Sequence, residues 1–119
     1  MSKIQTTFLR LKSENKKALI PFVTSGDPHP NMTVKMLHTL VESGADMIEL
    51  GIPFSDPMAD GPVIQRASER AIANNVGIKK TIKLVKEFRK KDINTPIILM
   101  GYANPIEAIG IKNFVSLIK

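Results

Sequence analysis

Apolar positions along this chain alternate between a helical and a strand rhythm. Ile4, Phe8 and Leu11 recur at helical spacing and predict a short amphipathic helix over residues 2–13. Ala18 to Thr24 is a near-continuous apolar run of strand length, closed by the turn cluster Ser-Gly-Asp-Pro-His-Pro. Val34, Leu37, Leu40 and Val41 form one stripe of a helix from Pro30 or Asn31 to Ser43. Pro at the start loses no helical hydrogen bond, and Gly44 supplies the left-handed residue that ends such helices. Asp46 to Ile52 reads as a second strand, with Met47, Glu49 and Gly51 on one face and Ile48, Leu50 and Ile52 on the other. A loop over 53–61 leads to a helix from Pro62 to about Ala73, with Ile64, Ala67, Ala71 and Ile72 inward. A lysine-rich helix follows over about 78–91, then a strand from Pro96 to Tyr102. A short helix at Asn104-Pro105, broken at Gly110, precedes a last helix whose inward face is Ile111, Phe114, Val115 and Ile118.

Strands alternating with helices imply a parallel sheet with right-handed crossovers. A near-continuous apolar strand suits a sheet covered on both faces. Three parallel strands cannot close a barrel and leave two open edges. The expectation is one incomplete domain over 1–119, the first part of a longer protein.

Composition narrows the class. The chain has 119 residues, 43% of them hydrophobic and 24% charged, ordinary for a globular protein. No apolar run approaches the roughly 18 residues of a membrane span, and the N-terminus has no apolar core of a secretory signal. There are no cysteines, hence no disulfide or thiolate chemistry, which fits a cytoplasmic protein. The net charge of +6 concentrates in Lys79, Lys80, Lys83, Lys86, Arg89, Lys90 and Lys91. Four of these lysines recur at helical spacing opposite Ile78, Ile82, Val85 and Phe88, which reads as a solvated helix face rather than a nucleic-acid surface. His29 and His38 have no paired ligand spacing and read as surface residues, and no metal site is expected.

The chemistry concentrates in Met47–Gln65, MIELGIPFSDPMADGPVIQ. Glu49 lies within an apolar strand, where a carboxylate is costly unless paired or used. Asp60 lies at the following loop–helix junction. Two carboxylates at the mouth of one βα unit are what proton transfer needs. On the residues alone, Glu49 could equally pair with a lysine on a neighbouring strand, and Asp60 could be a helix N-cap.

IELGIPFSDPMADGP (Ile48 to Pro62) resembles the signature of the tryptophan synthase alpha chain family. PFVTSGDP (Pro21 to Pro28) resembles that family's first strand and turn, with Ser25 where alanine is commoner, and LMGYANP (Leu99 to Pro105) resembles its third strand and exit. The resemblance implies a (β/α)8 barrel, of which this chain would supply an N-terminal helix and the first three βα units. It implies a lyase that cleaves indole-3-glycerol phosphate by a retro-aldol reaction to indole and glyceraldehyde 3-phosphate, in L-tryptophan biosynthesis. The implied partner is a beta chain that carries pyridoxal phosphate, in an alpha2-beta2 heterotetramer. This chain itself needs no cofactor.

By the same resemblance Glu49 is the general acid and base, and Asp60 binds the indole N–H. Phe22, Met100 and Tyr102 line the indole pocket, with barrel core as the alternative for Phe22 and Met100. Pro53, Asp56 and Pro57, in an exposed loop, face the beta chain. Loops late in such barrels hold phosphate, and no glycine-rich phosphate motif occurs here. The 119 residues alone are therefore expected to be inactive and only marginally stable. Two further readings stay open: a non-catalytic modulator that binds the beta chain, and another phosphate-binding barrel enzyme of amino-acid biosynthesis.

Overall fold

The computed structural model describes residues 1–119. Nine elements follow in order: α1 (Lys3–Ser13), β1 (Phe22–Thr24), α2 (Pro30–Glu42), β2 (Ile48–Gly51), α3 (Pro62–Ala73), α4 (Ile78–Arg89), β3 (Ile97–Met100), α5 (Ala103–Ile109) and α6 (Ile111–Ile118). The strands form one parallel sheet in the order β1-β2-β3. No helix is long and apolar enough to cross a membrane.

Register decides which residues share a face. Phe22, Glu49 and Ile98 lie in one row across the sheet, and Thr24, Gly51 and Met100 in the row nearer the strand C-termini. The intervening residues point the other way. Ile48 and Leu50 are fully buried there with Leu37 of α2 and Phe88 of α4, and Val23, Ile97 and Leu99 pack around them. This helix-covered core explains the near-continuous apolar strands. It also draws in His38, whose ring lies 4.5 Å from that of Phe88, so His38 is half-buried rather than a surface residue.

The turn after β1 is built around Gly26. Its φ is +85°, and a Cβ there would sit 2.6 Å from Val76, so both conformation and space require glycine. The Gly26 amide donates to Thr33 Oγ1 at 3.0 Å. Arg70 of α3 donates twice to Asp27, at 2.6 and 3.1 Å, tying this turn to α3. His29 is the N-cap of α2, its Nδ1 accepting from the Asn31 amide. Gly44, at φ +111°, follows α2 as its spacing predicts.

Two apolar stripes differ from expectation. Ile4 and Phe8 stay exposed on α1, where Leu11 alone is buried. On α6, Ile111 is 65% exposed, Val115 41% and Ile118 49%, so that face is not buried. Periodicity marks a face but not the surface that covers it. Here Phe114, Leu117 and Ile118 border an open groove of about 680 Å3 whose other wall includes Val85, Ile97 and Leu99.

Candidate active site

The face of the sheet away from α2 and α4 carries Phe22, Thr24, Glu49, Gly51, Ile98 and Met100. At its C-terminal edge a cavity of about 240 Å3 opens. This is just under the roughly 300 Å3 at which small-molecule pockets begin. Phe22, Thr24 and Met100 form its floor, Ile64 and Ser68 of α3 one wall, and Asp60 and Tyr102 the rim. Phe22, Met100 and Tyr102 thus gather where the sequence places an apolar pocket, together with Asp60.

Gly51 makes this arrangement possible. A Cβ at Gly51 would lie 2.7 Å from Cζ of Phe22, because the phenyl ring occupies the space a side chain would take. Sequence reasoning did not single out Gly51, Thr24 or Ser68. Thr24 was within reach, since it stands two residues from Phe22 on the same strand and so shares its face.

Asp60 is not the helix cap. Gly61 occupies the N-cap of α3 and makes no side-chain cap bond. The Asp60 carboxylate turns instead to Tyr102, whose hydroxyl donates to Oδ2 at 3.0 Å. The same hydroxyl accepts from the Ala59 amide at 3.0 Å. One phenol therefore holds two adjacent residues of the loop, and its ring packs 5.2 Å from that of Phe54. Burial pushes the Tyr102 phenol above its ordinary value, and the neighbouring Asp60 carboxylate adds to this against the opposing pull of the Ala59 amide. Oδ1 of Asp60 receives no donor from the protein, which leaves it free for a ligand N–H.

Glu49 stands one row deeper than the cavity rim, second of the four residues of β2 rather than at the strand's end. It is half-buried, flanked by Phe22 and Ile98, and takes part in none of the ion pairs. A lysine partner on a neighbouring strand is thereby ruled out in this structure. Glu49 does not line the cavity that holds Asp60: one carboxylate stands on the sheet face and the other on the loop at the cavity rim.

The loop after β2 divides. Pro53 is buried, because the Ile52 amide still donates to Met100 O at 2.8 Å and keeps the chain against β3. This corrects its assignment to an exposed loop. Asp56 is exposed and Pro57 half-buried. No three His, Asp or Glu side chains converge as a metal site.

Known proteins similar to this chain agree with one another. The family model described as tryptophan synthase alpha chain matches residues 8–119. A tryptophan synthase alpha chain of Hydrogenovibrio crunogenus is 67% identical over 110 residues, which cover 92% of this chain and 40% of that protein. The crystal structure of tryptophan synthase subunit alpha from Legionella pneumophila superposes with a TM-score of 0.98 at 53% identity, covering 99% of this chain and 45% of that one. A tryptophan synthase complex from Pyrococcus furiosus contains a chain with a TM-score of 0.78 at 47% identity, covering 84% of this chain and 41% of that one. This chain thus spans less than half the length of the relatives it matches. Its parallel sheet with helices on the outer face is the arrangement of the N-terminal part of a (β/α)8 barrel, and the chain belongs to the tryptophan synthase alpha chain family.

Proposed function

We propose that these residues carry the proton-transfer groups of an alpha-chain lyase that cleaves indole-3-glycerol phosphate in the cytoplasm. One observation supports this above the others: Glu49 is half-buried on the open sheet face with no partner, while Asp60 is held at the rim of the adjoining apolar cavity. An unpaired carboxylate among apolar neighbours contributes nothing to stability that an apolar residue would not.

In the reaction, Glu49 removes the proton of the side-chain C3′ hydroxyl and delivers a proton to indole carbon 3. The bond between that carbon and the side chain then breaks, giving the aldehyde and neutral indole. Oδ1 of Asp60 accepts the indole N–H and stabilises the positive charge that develops on nitrogen. Phe22 and Met100 supply apolar faces for the ring. Tyr102 acts mainly by holding Asp60, since its hydroxyl already has two loop partners. Exposed Asp56 and the adjoining Pro57 are the candidate contacts for a beta chain, and buried Pro53 supports them from beneath.

A chimera tests the assignment. Residues 1–119 of this chain replace the matching segment of the Hydrogenovibrio crunogenus protein, and indole release from indole-3-glycerol phosphate is measured with and without a beta chain. Release at a rate near that of the unexchanged protein is expected. Stimulation of the beta chain without indole release would instead identify a non-catalytic modulator.

A further inference from the structure

Between residues 54 and 60, the hydrogen bonds that tie the loop before α3 to other elements come from two side chains alone, Tyr102 and Gln65. Tyr102 holds the Ala59 amide and the Asp60 carboxylate. We propose that Gln65 is the positioning residue for Asp60: its side-chain amide donates to the carbonyl oxygens of Asp60 and Pro57 and so fixes the peptide that presents the carboxylate to Tyr102. The proposal rests on Asp60 belonging to the site described above.

The geometry follows from the helix. Gln65 lies one turn into α3, and its backbone amide closes the first helical bond onto Gly61 O at 3.0 Å. Helical side chains lean toward the N-terminus, so this one reaches back over the helix start. Its Nε2 lies 2.8 Å from Asp60 O and 3.4 Å from Pro57 O. Those carbonyls bracket a tight turn that the Asp60 amide closes onto Pro57 O at 3.1 Å. The turn's backbone is thus gripped from α3, and its one charged side chain is gripped from the end of β3. Without the amide, the turn could rotate about its proline, and the carboxylate would leave the phenol.

Tyr102 reports on this directly. It is the only tyrosine, and the chain has no tryptophan, so the absorbance of ionised tyrosine titrates one group. The 119-residue chain is titrated as wild type, Asp60→Asn, Gln65→Met and Gln65→Ala, with circular dichroism confirming retained helix. Methionine preserves length and packing but removes both donors; alanine is the strongest helix former and guards against loss of α3. Asp60→Asn is expected to lower the Tyr102 pKa, and to lower it less when combined with either Gln65 variant, because there the carboxylate has already left the phenol. Exchange of the Ala59 amide should quicken about tenfold in the Gln65 variants, the weight of one hydrogen bond. If Asp60→Asn lowers the Tyr102 pKa as much in folded Gln65→Met as in the wild type, Gln65 is a packing residue and the proposal is overturned. If Asp60→Asn has no effect, the Tyr102–Asp60 pair itself fails, and the site reading with it.

Discussion

Replacing Ser25 with alanine should stabilise this protein. Ser25 is fully buried at the end of β1, and its hydroxyl has no hydrogen-bond partner. Leaving a buried hydroxyl unsatisfied costs about 1–3 kcal/mol. Removing the oxygen leaves a void of about 10 Å3, which at about 24 cal/mol per Å3 costs only about 0.2 kcal/mol. The backbone is untouched, since the Ser25 amide donates to Gly51 O at 2.9 Å whatever the side chain. The net gain is therefore about 1 kcal/mol or more. With a urea m-value of about 1–3 kcal/mol/M for a small domain, a gain of about 1 kcal/mol should raise the midpoint by about 0.3–1 M at unchanged slope. Ser116→Ala is the control: its hydroxyl is exposed and donates to Lys112 O at 3.1 Å, so its effect should stay within about 0.5 kcal/mol. A midpoint for Ser25→Ala equal to or below the wild type would refute the reasoning and show that the hydroxyl is satisfied.

Gly51→Ala should destabilise by about 1–3 kcal/mol, because the new methyl meets the Phe22 ring at 2.7 Å, and a thermal melt with no loss would contradict the packing described. Asp92 gives a pH signature. Burial pushes its carboxyl up, but the Thr95 hydroxyl, the Thr95 and Asn94 amides and Arg89 outweigh this and leave it below the usual carboxylate range. A depressed native pKa means the native state favours the charged form, so the stabilisation is complete above the unfolded value of about 3.9 and fades as pH falls through the native value. Asp92→Asn should therefore cost stability at pH 7 and progressively less below about pH 4; a cost independent of pH would contradict this.

The helix-covered core was legible because it obeys local periodicity: Leu37, Ile48, Leu50 and Phe88 announce themselves by spacing. Strand length was less so. The apolar run from Ala18 predicts a long β1, yet only Phe22–Thr24 is strand. Before it, the Asp46 side chain accepts from the Leu19 amide at 2.8 Å, and Leu19 itself is 56% exposed. The site divides in the same way. Glu49, Phe22 and Met100 followed from strand alternation and the family signature. Asp60 looked like a helix cap because capping is a local rule, while its actual partner Tyr102 lies 42 residues away. Gln65 gave no signal, since a glutamine in the first turn of an amphipathic helix is ordinary until the carbonyls it meets are known. The α6 stripe shows the converse, a legible face whose covering surface no periodicity can name.

The most direct test of the account is Glu49→Gln in the chimera, measured as indole release from indole-3-glycerol phosphate. Glutamine keeps the size and hydrogen-bonding reach of Glu49 but cannot exchange a proton. The expected result is a fall in kcat of about 100-fold or more, the usual worth of a positioned acid–base group, with KM little changed, because glutamine can still hydrogen-bond the substrate hydroxyl that Glu49 meets. Near-normal cleavage by the Glu49→Gln chimera would contradict the account.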